Sequence, residues 1–324
     1  MDGLLVIDKP VGPTSHDVVA RLRGVLGERR IGHTGTLDPI ASGVLPLVVG
    51  RATRLARFLS ASDKTYEAAI RFGVATDTYD AEGTPLGARH EGALPSRDEI
   101  ERGLDAFRGS FLQRPPAYSA KKIGGRRSYK LAQARQRASA RDLPEGPAPP
   151  ALPAPVSVTV HRLELLGIDH DCVTLRVDCS AGFYVRSLAY DLGDRLGTGA
   201  HLVALRRTRS GDLTLADAVA LASAERDPDM AAAALVPLAR MLPALTPLML
   251  TDEGVRRAGH GQDLGPSDFT AGLPADARAP AQQVFRLPGA PQRCFRLIDP
   301  RGHLVGLASP AKTIGLLHPS VVLV

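Results

Sequence analysis

The sequence RIGHTGTLDPIASGVLPLVVGRATR, residues 30–54, places one carboxylate, Asp38, in a loop of small and turn-forming residues. Glycine and proline at this density set unusual backbone angles and let a second backbone segment come close. The apolar run that follows, residues 44–49, predicts a buried strand. A carboxylate on a loop braced by such a strand is a common arrangement in active sites, although Asp38-Pro39 alone would also fit an ordinary turn.

Strand and helix patterns alternate on both sides of this loop. Residues 64–74 alternate apolar and polar side chains, with Tyr66 on the apolar face, and predict a half-buried strand. Residues 16–26 predict a helix with one apolar face. If the segment after the loop is helical, its regularly spaced arginines line one basic face: Arg51, Arg54 and Arg57. Further elements are predicted at residues 3–7, 96–107, 156–160, 173–179, 183–197 and 201–207, and 156–160 and 173–179 read as paired antiparallel strands.

The composition bounds the class of protein. With 324 residues, 44% of them hydrophobic, the chain can bury a sizeable core in one large and one smaller domain. No apolar run reaches the roughly 18 residues that a membrane helix needs, and the N-terminal MDGLLVIDKP is too short for a signal peptide. The three cysteines form no CxxC pair, the nine histidines show no HxH or HxxxH spacing, and no Walker-type loop is present. We therefore expect no metal, no cofactor, no membrane contact and a cytoplasmic location.

One segment makes the chain basic. The net charge is +6, yet residues 114–141 hold nine Lys and Arg and no acidic residue, so the remainder is slightly acidic. A block of one sign with Tyr118 and Tyr129 inside it is typical of a nucleic-acid-binding arm, whereas a solvated surface loop is the plainer alternative. We predict a protruding arm over about residues 112–152 that ends in the Pro-rich stretch PEGPAPPALPAP.

A change in composition marks a domain boundary near Pro243 and Pro247. Residues 244–324 are rich in glycine and proline, with short strand candidates at 294–298, 304–308 and 321–324. The sequence therefore predicts a large domain over residues 1–243, arm included, and a small β-rich module over residues 244–324.

A second cluster of candidate site residues is SAGFYVRS, residues 180–187. Tyr184 and Arg186 stand where a strand passes into a helix, and a helix N-terminus presents side chains and free N–H groups to a ligand. A buried Asp38 needs a positive partner to stay ionised, and Arg186 can supply a charge that is never lost. Tyr184 and Arg186 would also fit as ordinary first residues of a helix.

Seven motifs, taken in order, resemble the TruB-type tRNA pseudouridine synthases over roughly residues 3–240. They are GLLVIDKPVGPTSHDVV at 3–19, TGTLDPIASG at 34–43, DKTYEA at 63–68, TDTYDAEG at 76–83, PPAYSAKKIGGRRSY at 115–129, SAGFYVRSLAYDLG at 180–193 and HLVALRR at 201–207. The resemblance implies the α+β pseudouridine synthase fold, with a mixed, mostly antiparallel sheet and flanking helices. The C-terminal module is similar in position and pattern to the small PUA-like RNA-binding domains of bacterial members.

The resemblance also implies a role for each matching residue. Asp38 matches the catalytic aspartate, Arg186 the arginine that pairs with it, and Tyr66 the tyrosine that stacks on the target base and takes part in proton transfer. Substrate or RNA contacts are implied for His33, which enters the RNA loop, Tyr184, the apolar pocket residue Leu205, Lys9, and the arm residues Lys121, Lys122, Arg126, Arg127 and Lys130. Tyr66 would also fit a core tyrosine, and Lys9 either a structural or an electrostatic role.

The reaction so implied converts a uridine in the T loop of tRNA, at position 55, to pseudouridine on a base flipped out of its stack. Asp38 would act at C1′, at C6 of the base or in elimination to a glycal, and the sequence leaves these routes open. The expected partner is the T-stem–loop, with no guide RNA or protein partner and the chain acting as a monomer. Two other hypotheses stay open: a tRNA-binding folding factor and an RNA-guided pseudouridylase of the dyskerin type.

Overall fold

The computed structural model describes residues 1–117, 153–273 and 293–324, and the backbone of two short strands within the arm. The described helices are α1 (Ser15–Leu26), α2 (Ala56–Ser60), α3 (Arg97–Leu104), α4 (Val185–Arg195), α5 (Leu221–Arg226), α6 (Pro228–Ala233) and α7 (Asp252–Gly259). The described strands are β1 (Gly3–Lys9), β2 (Ile31–His33), β3 (Ala41–Val49), β4 (Lys64–Phe72), β5 (Gly109–Gln113), β6 (Lys122–Ile123), β7 (Arg126–Arg127), β8 (Val156–Asp169), β9 (Cys172–Cys179), β10 (Ala200–Ser210), β11 (Leu213–Thr214), β12 (Val219–Ala220), β13 (Pro247–Met249), β14 (Phe295–Ile298), β15 (Leu304–Pro310) and β16 (Leu317–Val322).

A ten-stranded sheet forms the body of the molecule, in the order β12-β1-β3-β10-β4-β9-β8-β5, with β2 added to β3 and β11 to β10. Its pairs are antiparallel except for β1 with β12 and β3 with β10. The parallel pair sets Leu205 opposite Ala41, and the pairing of β10 with β4 sets Arg207 opposite Tyr66. The predicted mixed, mostly antiparallel sheet is confirmed, and its central registers bring the loop before β3 close to Tyr66.

Strand β3 is buried along most of its length because both of its faces are covered. Leu47 and Val49 join the main core with the apolar face of α1, while Val48 faces a second cluster on the other side of the sheet. Helix α1 begins at a capping box in which Thr14 and Asp17 exchange side-chain and backbone hydrogen bonds. The apolar run of the sequence therefore predicted this strand correctly.

The C-terminal module is a smaller sheet in the order β13-β14-β15-β16, as the β-rich composition predicted. Helix α7, which the sequence reading did not anticipate, packs Val255 and Ala258 into the core of this module. A further apolar cluster joins the module to the back of the large sheet, with Leu55 on one side and Leu307 and Leu323 on the other.

Two of the arginines after β3 contact this module. Their segment is a 3₁₀ turn, Gly50–Leu55, followed by α2. Arg51 Nη1 donates to the carbonyl oxygen of Leu323 at 2.7 Å, and Arg54 donates to that of Val322. Arg51, Arg54 and Arg57 are all exposed, as a shared basic face requires, and two of the three also bind carbonyl oxygens at the end of β16.

The arm is described only in part. Strands β6 and β7 form an antiparallel pair. The sequence also predicts a helical stretch from residue 128 to about residue 136 of the arm. This stretch and the side chains of Lys121, Lys122, Arg126, Arg127 and Lys130 lie outside the described residues. Among the helices that are described, none is long and apolar enough to cross a membrane.

Candidate active site

Six of the residues singled out in the sequence line one cavity of about 370 Å³. They are His33, Asp38, Tyr66, Tyr184, Arg186 and Leu205. They converge because β3, β10 and β4 are neighbours at the centre of the sheet, and α4 begins above this point. Residues that lie far apart in the sequence thus form a single concave site, which is the usual form of a ligand pocket.

The loop that carries Asp38 is fixed at both ends. The Ser15 hydroxyl, at the start of α1, donates to the carbonyl oxygen of Leu37 at 2.9 Å and accepts from its N–H at 2.8 Å. After the loop, Gly43 has φ of 101°, and a Cβ there would lie 2.2 Å from the carbonyl oxygen of Arg207. Only glycine therefore lets β3 and β10 pair this closely. The carboxylate of Asp38 sits on a rigid support.

Arg186 lies between two carboxylates. Its Nε is 3.0 Å from Asp38 Oδ2, and its Nη1 is 3.5 Å from Asp80 Oδ2 and donates to the carbonyl oxygen of Thr78 at 3.0 Å. The side chains of Arg186 and Asp80 are each 7% exposed, whereas that of Asp38 is 37% exposed. The predicted pairing of Asp38 with Arg186 is therefore present, with the inner carboxylate supporting the arginine and the outer one facing the cavity.

Asp80 was not predicted as a site residue, and its loop has an unusual conformation. Tyr79, between Thr78 and Asp80, has φ of 66°, which is rare for a bulky residue. Its ring stacks on Tyr190 with centroids 4.1 Å apart, and Tyr190 lies one helical turn after Arg186. This stack holds the loop against α4, so that both acceptors reach the guanidinium. The only signal in the sequence was the motif TDTYDAEG, to which no role had been attached.

Tyr66 is 9% exposed and lines the cavity from the third position of β4. Burial raises the pKa of its phenol, and the positive charge of the nearby Arg207 guanidinium partly offsets this rise. The phenol is therefore protonated at neutral pH. Its place at the cavity wall fits both the stacking role that the family resemblance implies and the simpler role of a core tyrosine.

Two lysines near the site are buried to a similar degree but differ in what they face. Lys64 is 6% exposed and lines the cavity, whereas Lys9 is fully buried and donates to the carbonyl oxygens of Pro10 and Pro13 at 2.8 and 2.7 Å. Burial lowers the pKa of each ammonium to about 8. These contacts favour the structural role for Lys9, because its ammonium faces the backbone turn between β1 and α1.

The remaining cavity residues are positioned by their neighbours. The side chain of Gln113, which is 1% exposed, accepts from Tyr184 N–H at 2.8 Å and donates to the Tyr184 carbonyl oxygen at 3.0 Å. His33 ends β2, and its ring contacts that of His16 edge-on at 5.1 Å. Gln113 was missed in the sequence because a glutamine in an edge strand carries no local signal of burial.

The site combines an accessible carboxylate, which is paired with an arginine, with aromatic and apolar walls. Such a carboxylate can act as a nucleophile or a base on a flat ring held against Tyr66 and Leu205. Within the described part of the chain, no group of three or more His, Cys, Asp or Glu side chains could hold a metal ion.

Comparison with known proteins adds to this geometry. Residues 23–185 match the family model described as the TruB family pseudouridylate synthase N-terminal domain, and residues 186–242 match the tRNA pseudouridylate synthase B C-terminal domain. The chain is 44% identical to tRNA pseudouridine synthase B of Solibacter usitatus, covering 83% of this chain and 88% of that protein. It is 40% identical to the Ralstonia nicotianae protein of the same name, covering 89% and 86%. Its fold is similar to a chain in the crystal structure of a Cbf5-Nop10-Gar1 complex, with a TM-score of 0.67 and 27% identity over 97% of this chain and 83% of that chain.

Proposed function

The chain belongs to the TruB family of pseudouridylate synthases, and from that premise we propose that it isomerises a T-loop uridine of tRNA with Asp38 as the catalytic carboxylate. It is an isomerase that converts uridine in tRNA to pseudouridine, as the names of its relatives indicate. The choice of the T loop and the role of Asp38 are the parts that need direct tests.

The observation that carries the proposal is the contact between Asp38 and Arg186 inside the cavity that also holds Tyr66. The guanidinium places an opposite charge beside the carboxylate and fixes it at the cavity wall. Asp38 also remains more than a third exposed, so a substrate can reach it. No other carboxylate lines this cavity among the residues described there.

The reaction needs a nucleophile or base but no external energy. The bond from C1′ to N1 of uracil breaks, the base turns, and a bond from C1′ to C5 replaces it; the C5 proton leaves and N1 takes up a proton. Asp38 would attack C1′, attack C6 or assist elimination to a glycal. Taking the base out of its stack costs a few kcal/mol, which contacts with Tyr66 and with an inserted His33 would offset.

Recognition of tRNA would combine charge and shape. The nine basic residues of the arm can bind phosphates, which supplies affinity with little sequence information. Selection of one uridine would then come from the shape of a loop whose bases can be flipped into the cavity. His33 and Leu205, at the cavity wall, are placed to contact those bases.

The two alternatives from the sequence make different predictions. A folding factor would bind tRNA without needing Asp38. A guide-dependent enzyme would need a guide RNA, and it would need partner proteins of the kind named in the solved Cbf5-Nop10-Gar1 complex. The higher identity to proteins named tRNA pseudouridine synthase B favours a chain that acts on tRNA without a guide.

The test is release of tritium from a tRNA transcript labelled at C5 of uridine, with purified protein, EDTA and no guide RNA. We expect release by the wild type and none by Asp38→Asn, with tRNA affinity of the variant within several-fold of the wild type. The modified position is mapped by chemical labelling of pseudouridine, and a single site in the T loop is expected.

Three results would contradict parts of the proposal. Release by Asp38→Asn would remove the carboxylate from the chemistry. Tight binding without release by either protein would favour the folding factor or the guide-dependent enzyme. Release from a uridine outside the T loop would leave the enzyme class intact and change the substrate site.

A further inference from the structure

The cavity carries more positive than negative charge. Among the described residues that line it, Asp38 is the one carboxylate, whereas Lys64, Arg186 and Arg207 are cations. Arg186 is engaged with Asp38 and Asp80. Lys64 and Arg207 are the two cavity cations outside this ion-paired cluster.

Neither of these two cations forms an ion pair with a carboxylate of the described chain. Arg207 is 1% exposed; its Nε donates to the carbonyl oxygen of Val44 at 2.7 Å and its Nη2 to that of Gly35 at 3.2 Å. Lys64 donates to the carbonyl oxygen of Ser60 at 2.7 Å. Burying a cation without a counter-charge costs free energy of folding. Two such cations beside one cavity therefore indicate a function in ligand binding or catalysis.

The two cations lie side by side on the cavity floor. A Cβ built on Gly35 would lie 3.3 Å from Arg207 Nη1 and 3.9 Å from Lys64 Cε. Both cations are thus next to one point of the loop that leads to Asp38. Tyr66, which lies opposite Arg207 in the pairing of β4 with β10, lines the same cavity.

We propose that Lys64 and Arg207 form a cationic floor that stabilises the negative charge on the target uracil during isomerisation, an inference that rests on the proposed function. When the glycosidic bond breaks, its electron pair stays with N1 and spreads over the ring to the carbonyl oxygens. When C5 joins C1′, an electron pair of this anion forms the new bond; the C5 proton then leaves to solvent or a base, its electron pair returns to the ring, and N1 takes up a proton from solvent. Attack by Asp38 at C6 would likewise push an electron pair onto the ring, so the floor serves each of the routes.

A backbone phosphate is the other group of the substrate that could bind these two cations. The burial of Lys64 and Arg207 argues against a phosphate as their ligand. Phosphates stay with the sugar chain near the mouth, whereas only the flat base of a flipped nucleotide reaches deep into a pocket. Fixed donors in a dry site are most effective where charge develops in the transition state. The backbone contacts of Arg207 fix its guanidinium in this way.

The experiment compares Lys64→Met with wild type on two tRNA transcripts, one with uridine and one with 5-fluorouridine. Fluorine withdraws electrons, so the fluorinated base carries negative charge with less help from the protein. Conversion is followed as loss of the N-glycoside in nuclease digests under single-turnover conditions. Lys64→Arg restores the charge, and Lys9→Met is the matched control because Lys9 is equally buried but does not line the cavity.

We expect Lys64→Met to slow uridine conversion by about 10²-fold, the scale for one preorganised donor, with tRNA affinity little changed. The loss on 5-fluorouridine should be several-fold smaller, and Lys64→Arg should recover most of the rate. Any loss caused by Lys9→Met should be equal on both bases.

A pH profile gives a second readout. The pKa of Lys64 is about 8, with Arg207, Cys179 and Asp63 as the charged or titratable groups around it, and Asp63 is engaged with His161 at 3.2 Å. Because the cationic form is needed, kcat/KM should fall above about pH 8 in the wild type, and this fall should be absent in Lys64→Arg.

Two outcomes would overturn the proposal. Equal losses on the two bases would mean that Lys64 acts only on folding or geometry. A loss of tRNA affinity with an unchanged single-turnover rate would assign the floor to a phosphate. Inactive wild type on both tRNAs would instead be a failure of the proposed function.

Discussion

The two sides of the cavity differ in how their charged side chains are held. On the side of α4, Arg186 is shared between Asp38 and Asp80, and each charge has a partner. On the floor, the hydrogen bonds that Lys64 and Arg207 make within the described part of the chain are to backbone carbonyls. The comparison shows that the paired side is complete before substrate arrives, whereas the floor obtains its counter-charge from the substrate.

Removing the charge of Arg186 should have the largest effect on both the reaction rate and the stability. Arg186→Met leaves two carboxylates close together, one of them buried, so we expect a loss of about 10³-fold or more in the single-turnover rate and about 3 kcal/mol in the free energy of unfolding. Urea unfolding measures the free energy of unfolding, and rapid-quench assays measure the single-turnover rate. Arg186→Lys keeps the charge but not the planar guanidinium. Its single-turnover rate and its free energy of unfolding should lie between those of the wild type and of Arg186→Met. A rate close to that of the wild type for Arg186→Met would contradict the pairing.

Removing only the inner charge should have a smaller effect. Asp80→Asn keeps an oxygen acceptor for Thr78 Oγ1, which now donates to Asp80 Oδ1 at 2.7 Å, but no longer balances Arg186. We expect a loss of about 10- to 100-fold in the single-turnover rate with tRNA affinity retained. Asp77→Asn is the control, because it lies in the same loop and accepts from Thr84 N–H instead. Equal losses in both variants would point to loop folding alone.

The smallest effect should come from the buried cation that lies outside the cavity. Burial lowers the pKa of Lys9 to about 8, against about 10.4 in an unfolded chain. Between these values the unfolded state binds more protons than the native state, so this group makes stability rise with pH from about 8 to about 10.4. Urea unfolding across this range should show a shallower rise for Lys9→Met than for wild type. An identical slope in the two proteins would mean that Lys9 does not titrate there.

The sequence predicted the elements that local pattern determines. Alternation located β4 and the β8–β9 pair, and the apolar run located β3. The contact of Arg186 with Asp38 was predicted from the need of a buried carboxylate for a partner. These predictions depend on short stretches of sequence, which is why they were correct.

The floor could not be predicted in this way. Arg206, Arg207 and Arg209 are close in sequence, yet only Arg207 is almost fully buried. Strand β10 has irregular register between Leu202 and Ala204 and again after Arg207, and each shift changes which side chains face inward. A strict inward–outward alternation of side chains therefore does not predict which residues of β10 are buried. Asp80 was missed for a related reason, because its contact depends on the left-handed backbone of Tyr79.

The parallel pairing of β3 with β10 also governs when the site can exist during synthesis. Arg207 on β10 bonds the carbonyl of Val44 on β3, and 163 residues separate them in sequence. A ribosome adds roughly 5–20 residues per second, so the Asp38 loop waits for many seconds before its neighbouring strand is made. Non-local pairing of this kind is slow and leaves apolar strand edges exposed meanwhile. The nascent chain therefore cannot act on tRNA until nearly the whole large domain has left the ribosome.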